Sequence, residues 1–276
     1  MTSNQRPVRS ALFVPGSRPE RFDKAFATGA NSIIVDFEDA VEEELKAQAR
    51  KNLASYLNDR PEARVVVRIN AVGHPQHHED LDFCQSVVGV GAVMLPKTES
   101  PEQLLGLSFL EKPLWPLLES ARGIREVDAI AQVSGVERLT FGALDLGFEL
   151  GLRAGSPAAQ KIMDQVRYQM ILASTNAGLA KPMDTVFADI ANLVGLRQMA
   201  EEGRDMGFAG MLCIHPSQVA VANEVYSPTE AEIEWAEKVI AAAKTQSAGA
   251  FRLEGRMVDA PVIRQARQLI NDLANA

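Results

Sequence analysis

Eight short apolar runs, separated by longer segments with helical periodicity, constrain the fold of this chain more than any other feature. The runs are rich in Val, Ile and Leu and mostly lack polar alternation, which is typical of parallel strands buried on both faces. They lie at residues 11–15, 32–37, 65–70, 92–97, 113–119, 139–145, 182–189 and 211–216. Eight βα units in this order predict a (β/α)₈ barrel, the TIM-barrel architecture.

The length of the chain fits one such barrel. Its 276 residues are close to the ~250 that a single barrel of this kind needs. A doubly wound open sheet, the main alternative, would usually have fewer strands and a Gly-rich first turn. The first turn here reads PGSRPE, at residues 15–20, and not GxGxxG.

Two helix starts are predicted from local motifs. Ser17 is followed by a proline and Glu20, and Ser227 is followed by a proline and Glu230. A serine with a glutamate three residues later predicts a capping box, in which each satisfies a free backbone N–H of the first helical turn. Both serines are therefore expected to begin helices.

The last thirty residues or so differ from the repeating pattern. We assign residues 1–246 to the barrel and residues 247–276 to a Gly-punctuated, hairpin-like loop followed by a terminal helix. This segment is not needed to close a barrel. It is expected to be a lid over the site or a contact between subunits, and the sequence leaves both open.

The charge balance limits the possible partners. The chain has 28 Lys and Arg against 36 Asp and Glu, a net charge of −8. Such a chain is repelled by nucleic acids and anionic membranes, although a small basic pocket for an anionic metabolite remains compatible with it. No run approaches the ~18 apolar residues of a membrane span, and the apolar run near the N-terminus is too short for a signal peptide.

The two cysteines, Cys84 and Cys213, lie in apolar surroundings without CxxC spacing. Buried free thiols suit a reducing compartment. Together with the absence of targeting signals, they predict a soluble cytoplasmic protein.

Polar side chains follow most of the predicted strands at the end where barrel enzymes build their active sites. The strand bodies are nearly free of charge, whereas their carboxyl ends carry ionisable groups. These are Asp36, Glu38 and Asp39, then Arg68, Lys97, Glu119, Asp145 and His215. Any one of them could be a solvated loop charge, but their coincidence on neighbouring strands indicates a site.

Glu119 and Asp145 end adjacent predicted strands, so their carboxylates can converge. Two hard oxygen ligands, with the other positions left to water and substrate, suit Mg²⁺. The alternative is two separately hydrogen-bonded carboxylates, with Glu119 paired to Arg122. The residues alone leave the two interpretations about even.

The cationic candidates also have two interpretations each. Arg68 could clamp a substrate carboxylate, or form a structural ion pair with the acidic cluster after strand 2. Arg18 and Lys24 flank the first helical turn and could hold a phosphate, although two solvated charges are the commoner outcome. The histidines of residues 74–80 are expected in a solvated loop, and His215 in packing or substrate contact.

The sequence resembles the citrate lyase β-subunit-like proteins of the HpcH/HpaI aldolase superfamily, a group that includes malyl-CoA and citramalyl-CoA lyases. The resemblance rests on ordered motifs that span essentially the whole chain. They are LFVPGSRPERFDKAFATGANSIIVDFEDAV, VRIN, VMLPKTES, LLESARG, FGALDL, DTVFADI, GFAGMLCIHPSQ and GRMVDAPV.

This resemblance implies Mg²⁺-dependent, reversible cleavage of a hydroxyacyl-CoA thioester into acetyl-CoA and a 2-oxo acid. It implies Glu119 and Asp145 as metal ligands and Arg68 as the carboxylate clamp. It also implies CoA-thioester contacts at Phe13, Arg18 and Lys24. It further implies trimers or their multiples, in which Asp259 reaches a neighbouring subunit's site as acid/base.

The sequence departs from the family pattern beside a predicted metal ligand. Leu144 stands where relatives commonly have Glu, and Gly147-Phe148-Glu149 replaces small polar residues. The bulk and charge next to the substrate therefore differ, which leaves the acyl substrate open. A malyl-CoA-type thioesterase, or a lyase subunit that needs an acyl-carrier protein, are the alternative functions.

Overall fold

The structure, a computed structural model, describes residues 7–245 and 249–274. Eight parallel strands, each paired with its sequence neighbours, form a closed barrel in which β8 pairs with β1. The strands are β1 (Ser10–Pro15), β2 (Ser32–Asp36), β3 (Val65–Arg68), β4 (Val90–Leu95), β5 (Leu114–Leu118), β6 (Thr140–Phe141), β7 (Met183–Asp184) and β8 (Gly210–Cys213). The predicted barrel is confirmed.

Helices alternate with these strands and continue past the barrel. They are α1 (Phe22–Phe26), α2 (Lys46–Asp59), α3 (His77–Ser86), α4 (Pro101–Leu105), α5 (Ala121–Arg125), α6 (Val127–Ala131), α7 (Ala143–Glu149), α8 (Pro157–Ala177), α9 (Leu193–Met206), α10 (Pro216–Val225), α11 (Glu230–Thr245) and α12 (Ala260–Ala274). Within the described residues, no helix is long and apolar enough to cross a membrane.

The barrel strands bury apolar side chains on both faces. One buried cluster, which includes Ile34, Val66 and Leu117, fills the barrel interior, and a larger one lies between strands and helices. Because successive side chains of a strand point to opposite faces, residues two positions later point inward as well. That alternation brings Asp36, Arg68 and Glu119 to the inner mouth of the barrel.

Several strands are shorter than predicted, β6 and β7 most of all, and the early end of β6 corrects the position of Asp145. Strand β6 stops at Phe141, Gly142 is extended, and Asp145 lies in the first turn of α7. The segment ALDLGFE contains good helix formers, and a short apolar run does not distinguish a strand from a buried helix. His215 likewise follows β8 as the residue that caps α10.

Both predicted capping boxes are wrong in detail. At the first, a short 3₁₀ helix begins after Arg18 without a side-chain cap, and the buried Ser17 hydroxyl has no hydrogen-bond partner. At the second, Thr229 caps α11, two residues after the predicted Ser227. Its hydroxyl accepts from the Glu232 N–H at 3.2 Å, and its own N–H donates to the Glu232 carboxylate at 2.7 Å.

Contacts divide the chain into two compact units, Val8–Tyr226 and a C-terminal unit that starts at Ser227. The second unit contains α11, the antiparallel pair β9 (Phe251–Leu253) and β10 (Arg256–Val258), and α12. The hairpin and terminal helix occur as predicted, but α11 belongs with them, so the unit begins before residue 247. Residues 246–248 of the predicted boundary lie outside the described part. The lid or subunit-contact role stays a prediction.

Candidate active site

A cavity of about 730 Å³ opens at the carboxyl ends of the barrel strands. Most of the side chains predicted from the sequence line it together. They are Phe13, Lys24, Arg68, Glu119, Leu144, Asp145 and His215. A cavity at this end of the barrel, with ionisable groups from several strands, is the usual arrangement of a barrel active site.

Arg68 is fixed from behind by acidic side chains. Its Nε and Nη2 donate to the two carboxylate oxygens of Asp36 at 2.7 and 2.5 Å, and Nη1 lies 3.1 Å from Glu38. Phe13 lies under the guanidinium plane, 4.9 Å from ring centroid to Cζ. Burial opposes the charge of Arg68, but Asp36 outweighs it and raises its pKa, so the group stays cationic.

The ion pair and the clamp predicted for Arg68 are therefore compatible. A guanidinium has more N–H donors than Asp36 and Glu38 engage, and the remaining ones are on Nη1 and Nη2. Because Arg68 lines the cavity, these donors are available to a carboxylate there. Asp36 and Glu38 hold the guanidinium in place, and the clamp role of Arg68 stays a prediction.

Glu119 is a buried carboxylate at the inner end of β5, with 5% of its surface exposed. Its Oε1 accepts from the Lys97 backbone N–H at 2.8 Å. Burial raises its pKa to about 8, against the Lys97 hydrogen bond, and the nearby Glu38 and Asp145 contribute in the same direction as burial. Among the described residues, Arg122 is not one of its hydrogen-bond or ion-pair partners.

The Glu119 side chain occupies space that a side chain at position 142 would fill. A Cβ at Gly142 would lie 2.7 Å from the Oε2 atom of Glu119 and 3.0 Å from the Cβ atom of Glu119. Because Gly142 adopts an ordinary extended conformation, the glycine is required for space and not for its backbone freedom.

Asp145 is positioned by bonds at both ends of α7. The Ala143 N–H at the start of the helix donates to the Thr185 hydroxyl at 3.0 Å. Glu149, its last residue, accepts from the Ala121 N–H at 3.2 Å, two residues after Glu119. The helix that carries Asp145 is thus tied to the segment that carries Glu119.

The two carboxylates fit a hard divalent cation. Both line the same cavity, and the raised pKa of Glu119 shows that burial and the nearby carboxylates disfavour its negative charge more than the Lys97 hydrogen bond favours it, so a cation would stabilise the ionised form. Within the described residues, no three His, Cys, Asp or Glu side chains form a metal cluster. Glu119 and Asp145 would hold Mg²⁺ with further oxygen ligands from water or substrate, as that ion prefers.

The basic candidates separate into two groups. Lys24 lines the cavity together with Arg21, which sequence reasoning missed. Arg18 does not line it, but lies 3.9 Å from Glu42 in a half-exposed ion pair. His215 lines the cavity and also caps α10, since its Nδ1 accepts from the Ser217 N–H at 3.2 Å.

Two other predictions concern residues that are not among those lining this cavity. Asp259 directly precedes α12 in the C-terminal unit, and its carboxylate accepts from the Val262 N–H at 3.3 Å; its acid/base role stays a prediction. The expectation of a solvated histidine loop is wrong for His77. That side chain is buried, starts α3 and bonds the Asn70 carbonyl oxygen at 2.7 Å, where it completes a packed turn.

Lys46 is a buried side chain that sequence reasoning also missed. Its ammonium donates to the carbonyl oxygens of Phe37 and Glu38 at 3.0 and 2.9 Å, and to Asn70 Oδ1 at 2.7 Å. These bonds fix the acidic segment after β2, which in turn holds Arg68. A lysine ten residues beyond the end of β2 carries no sequence signal for such a contact.

The fold and this cavity define a barrel protein with an acidic site and an adjacent arginine at the carboxyl ends of its strands. A family model described as HpcH/HpaI aldolase/citrate lyase matches residues 9–216. The chain belongs to this family, as the motifs predicted.

Curated relatives of this chain span nearly its full length. It is 37% identical, over 96% of this chain and 95% of the relative, to a citrate lyase subunit beta-like protein of Mycobacterium tuberculosis. It is 33% identical to a (3S)-malyl-CoA thioesterase of Cereibacter sphaeroides, over 98% and 96%. It is 31% identical to the mitochondrial citramalyl-CoA lyase of Homo sapiens, over 96% and 85%. The predicted enzyme class is confirmed at the level of the family.

A solved structure shares the fold closely. CitE of Mycobacterium tuberculosis, in complex with magnesium, acetoacetate and coenzyme A, has a TM-score of 0.81 and 36% identity, covering 96% of this chain and 97% of that one. A second structure of that protein holds magnesium and pyruvate, with a TM-score of 0.75, 32% identity, and coverage of 95% and 99%.

Proposed function

We propose that this protein is a Mg²⁺-dependent carbon–carbon lyase that reversibly cleaves a hydroxyacyl-CoA thioester of the malyl-CoA, citramalyl-CoA or citryl-CoA type. The products are acetyl-CoA and a 2-oxo acid. The observation that carries the proposal is the convergence of Arg68, Glu119 and Asp145 on one cavity. The ligands of the related CitE structures, magnesium, a small oxo acid and coenzyme A, support it.

The chain's own residues account for substrate binding. The unengaged donors of Arg68 bind the carboxylate of the 2-oxo acid, with Asp36 holding the guanidinium in place. Glu119 and Asp145 hold Mg²⁺, which supplies Lewis-acid polarisation of the keto group when bound. Phe13, Lys24 and Arg18 are proposed contacts for the CoA thioester. Arg21, which also lines the cavity, adds positive charge on the same side.

The carbon–carbon bond step needs one proton transfer at carbon and one at oxygen. In condensation, the Asp259 carboxylate removes a proton from the acetyl-CoA methyl group, the resulting enolate carbon attacks the keto carbon, and the alkoxide that forms takes a proton from water. In cleavage the hydroxyl group gives up its proton to water, the carbon–carbon bond breaks, and Asp259 gives its proton to the departing enolate carbon. We propose that Asp259 comes from a neighbouring subunit of a homotrimer or hexamer. This would explain a C-terminal unit that the barrel itself does not need.

A thioesterase is the second candidate, favoured by the similarity to a malyl-CoA thioesterase. Water would then attack the thioester carbonyl carbon, the carbon–sulfur bond would break, and CoA would leave as the free thiol. The carbon–carbon bond would stay intact. A lyase subunit that acts only on acyl-carrier-protein thioesters is the third candidate.

The two buried free cysteines, Cys84 and Cys213, fit the reducing cytoplasm that we propose as the location.

The test offers malyl-CoA and citramalyl-CoA to the purified full chain with Mg²⁺ and identifies products by mass spectrometry. Acetyl-CoA with a 2-oxo acid is expected. Free CoA would favour the thioesterase, and no turnover without added acyl-carrier protein would favour the third candidate. Wild-type activity in Glu119→Gln or Asp145→Asn would overturn the site. An active Asp259→Asn would remove the acid/base assignment only.

A further inference from the structure

Lys97 has two separate connections to the cavity, and the mechanism above uses neither. Its backbone N–H donates to Glu119 at 2.8 Å. Its ammonium pairs with the carboxylate of Glu38, which is buried, and lies 3.4 Å from Asp39. One residue of the turn after β4 thus touches a proposed metal ligand and an acidic partner of Arg68.

The backbone of Lys97 is held in an unusual conformation. Its φ is +50°, in the left-handed region that residues with a side chain rarely adopt. In the described part of the chain, Glu111 and Glu254 share this feature, but both lie in turns and neither lines the cavity. A strained residue persists where its surroundings fix it, and such residues cluster at functional sites.

The neighbouring residue shows what fixes this turn. The Thr98 N–H donates to the Leu117 carbonyl oxygen at 3.2 Å, and its hydroxyl donates to the Leu95 carbonyl oxygen at 2.8 Å. A Cβ at Gly123 would lie only 2.4 Å from the Thr98 carbonyl oxygen, so α5 closes over the turn. The turn is therefore locked between β4, β5 and α5, with the Lys97 N–H aimed at Glu119.

The side chain has a different consequence. Glu38 lies between Arg68 and Lys97. Without Lys97, Arg68 would face the negative charges of both Asp36 and Glu38 alone, and a substrate carboxylate would have to bind beside a net negative cluster. The ammonium offsets one of these charges, which keeps Arg68 attractive to an anion.

We propose that Lys97 is a positioning residue with two functions: its backbone N–H orients Glu119 for the metal, and its ammonium orients Glu38 so that Arg68 can bind the substrate carboxylate. This rests on the proposed function. The alternative is an ordinary half-exposed ion pair, which would contribute little.

Three variants without the ammonium separate the two functions. Lys97→Gly fits the positive φ, Lys97→Met is as strained as the lysine, and the β-branched Lys97→Val opposes this conformation further. Isothermal titration with Mg²⁺ alone, and then with pyruvate at saturating Mg²⁺, measures both affinities. Lys97→Arg keeps the charge, and Lys161→Met, at an exposed position of α8, is the matched control.

Pyruvate affinity should fall about tenfold in all three uncharged variants, which is ~1.4 kcal/mol, and recover in Lys97→Arg. Mg²⁺ affinity should be similar in the Gly and Met variants and roughly threefold or more weaker in Val, given the cost of this strain. Wild-type pyruvate affinity in Lys97→Met would overturn the side-chain function, and equal Mg²⁺ affinity in Met and Val the backbone function. Pyruvate that fails to bind the wild type would instead contradict the proposed function, while the Mg²⁺ series still decides the backbone function.

Discussion

At the scale of single residues, the site depends on a missing side chain. Glu119 reaches its position because Gly142, on the adjacent strand end, has no Cβ. Two neighbouring strands of a barrel lie close enough for one side chain to occupy the space that the other leaves free. The glycine is therefore as much a part of the site as the carboxylate.

Gly142→Ala should displace the Glu119 carboxylate and weaken Mg²⁺ binding by about tenfold or more, because the new methyl group would lie 2.7 Å from Oε2. Titration calorimetry measures the affinity. Gly147→Ala is the matched control, since its Cβ would meet only the flexible end of Met163 at 3.4 Å. Equal affinities in the two variants would mean that Glu119 can move without cost.

The raised pKa of Glu119 predicts that Mg²⁺ binding releases a proton. A carboxyl group with a pKa of about 8 is mostly protonated at pH 7, and the cation binds the deprotonated form. Mg²⁺ affinity should therefore rise with pH up to about 8 and level off above it. Calorimetry at pH 7 in buffers of different ionisation enthalpy measures the released protons, and Glu119→Gln should abolish that release. A pH-independent affinity would contradict the prediction.

The alternation of side chains along a strand was enough to predict which strand-end residues reach the site. Arg68 and Glu119 end apolar runs that must be buried on both faces, so their position at the barrel mouth follows from the sequence. Lys97 was predicted at a strand end but with no role, and Arg21 and Thr185 were not predicted as site residues. Their roles depend on hydrogen bonds and cavity walls between segments far apart in the chain, such as Lys97 to Glu119, and these have no local signature.

At the scale of elements, α7 carries one proposed metal ligand and replaces part of a predicted strand. Residues 139–145 were predicted as one strand, but only Thr140 and Phe141 form it. The hydroxyl of Thr185, the residue after β7, accepts a hydrogen bond from the first N–H of the helix, so a contact from a neighbouring segment favours helix at this point. The run FGALDL is apolar enough for either structure, and only the neighbouring strand determines the outcome.

Thr185→Val should loosen the start of α7. The Ala143 N–H would lose its partner in a partly buried setting, at a cost of about 1 kcal/mol in the free energy of unfolding, and Asp145 would bind Mg²⁺ more weakly. Thermal unfolding and Mg²⁺ titration measure the two effects. Thr185→Ser keeps the hydroxyl and should preserve most of the metal affinity. Wild-type behaviour of the valine variant would show that Asp145 does not depend on this bond.

At the scale of the whole chain, the described residues form two compact units, and the sequence predicted the barrel more accurately than the boundary. Eight apolar runs correspond to eight strands. The boundary fell too late because α11 has the amphipathic pattern expected of a last barrel helix. Its packing with α12 around a small core of Ala236, Val239, Val258 and Ala266 is a tertiary contact that periodicity does not reveal.

The barrel wall is not uniform around its circumference. Strands β1 and β2 pair from Ala11 with Ser32 through Pro15 with Asp36, whereas β6 and β7 share the single pair Thr140 with Met183. Backbone amides around β6 and β7 should therefore exchange with deuterium faster than those of β1 and β2. Hydrogen–deuterium exchange read by mass spectrometry measures this, and uniform protection around the barrel would contradict it.

The short pairing between β6 and β7 also gives the barrel a seam, and the seam runs beside the segment that supplies Asp145. A ligand bound to both Glu119, which follows β5, and Asp145, which follows β6, would connect the segments beside this weakly paired part of the barrel. Local opening there and occupancy of the site would then be mutually exclusive. The free energy of local opening at β6 and β7 would therefore rise as the metal site becomes occupied.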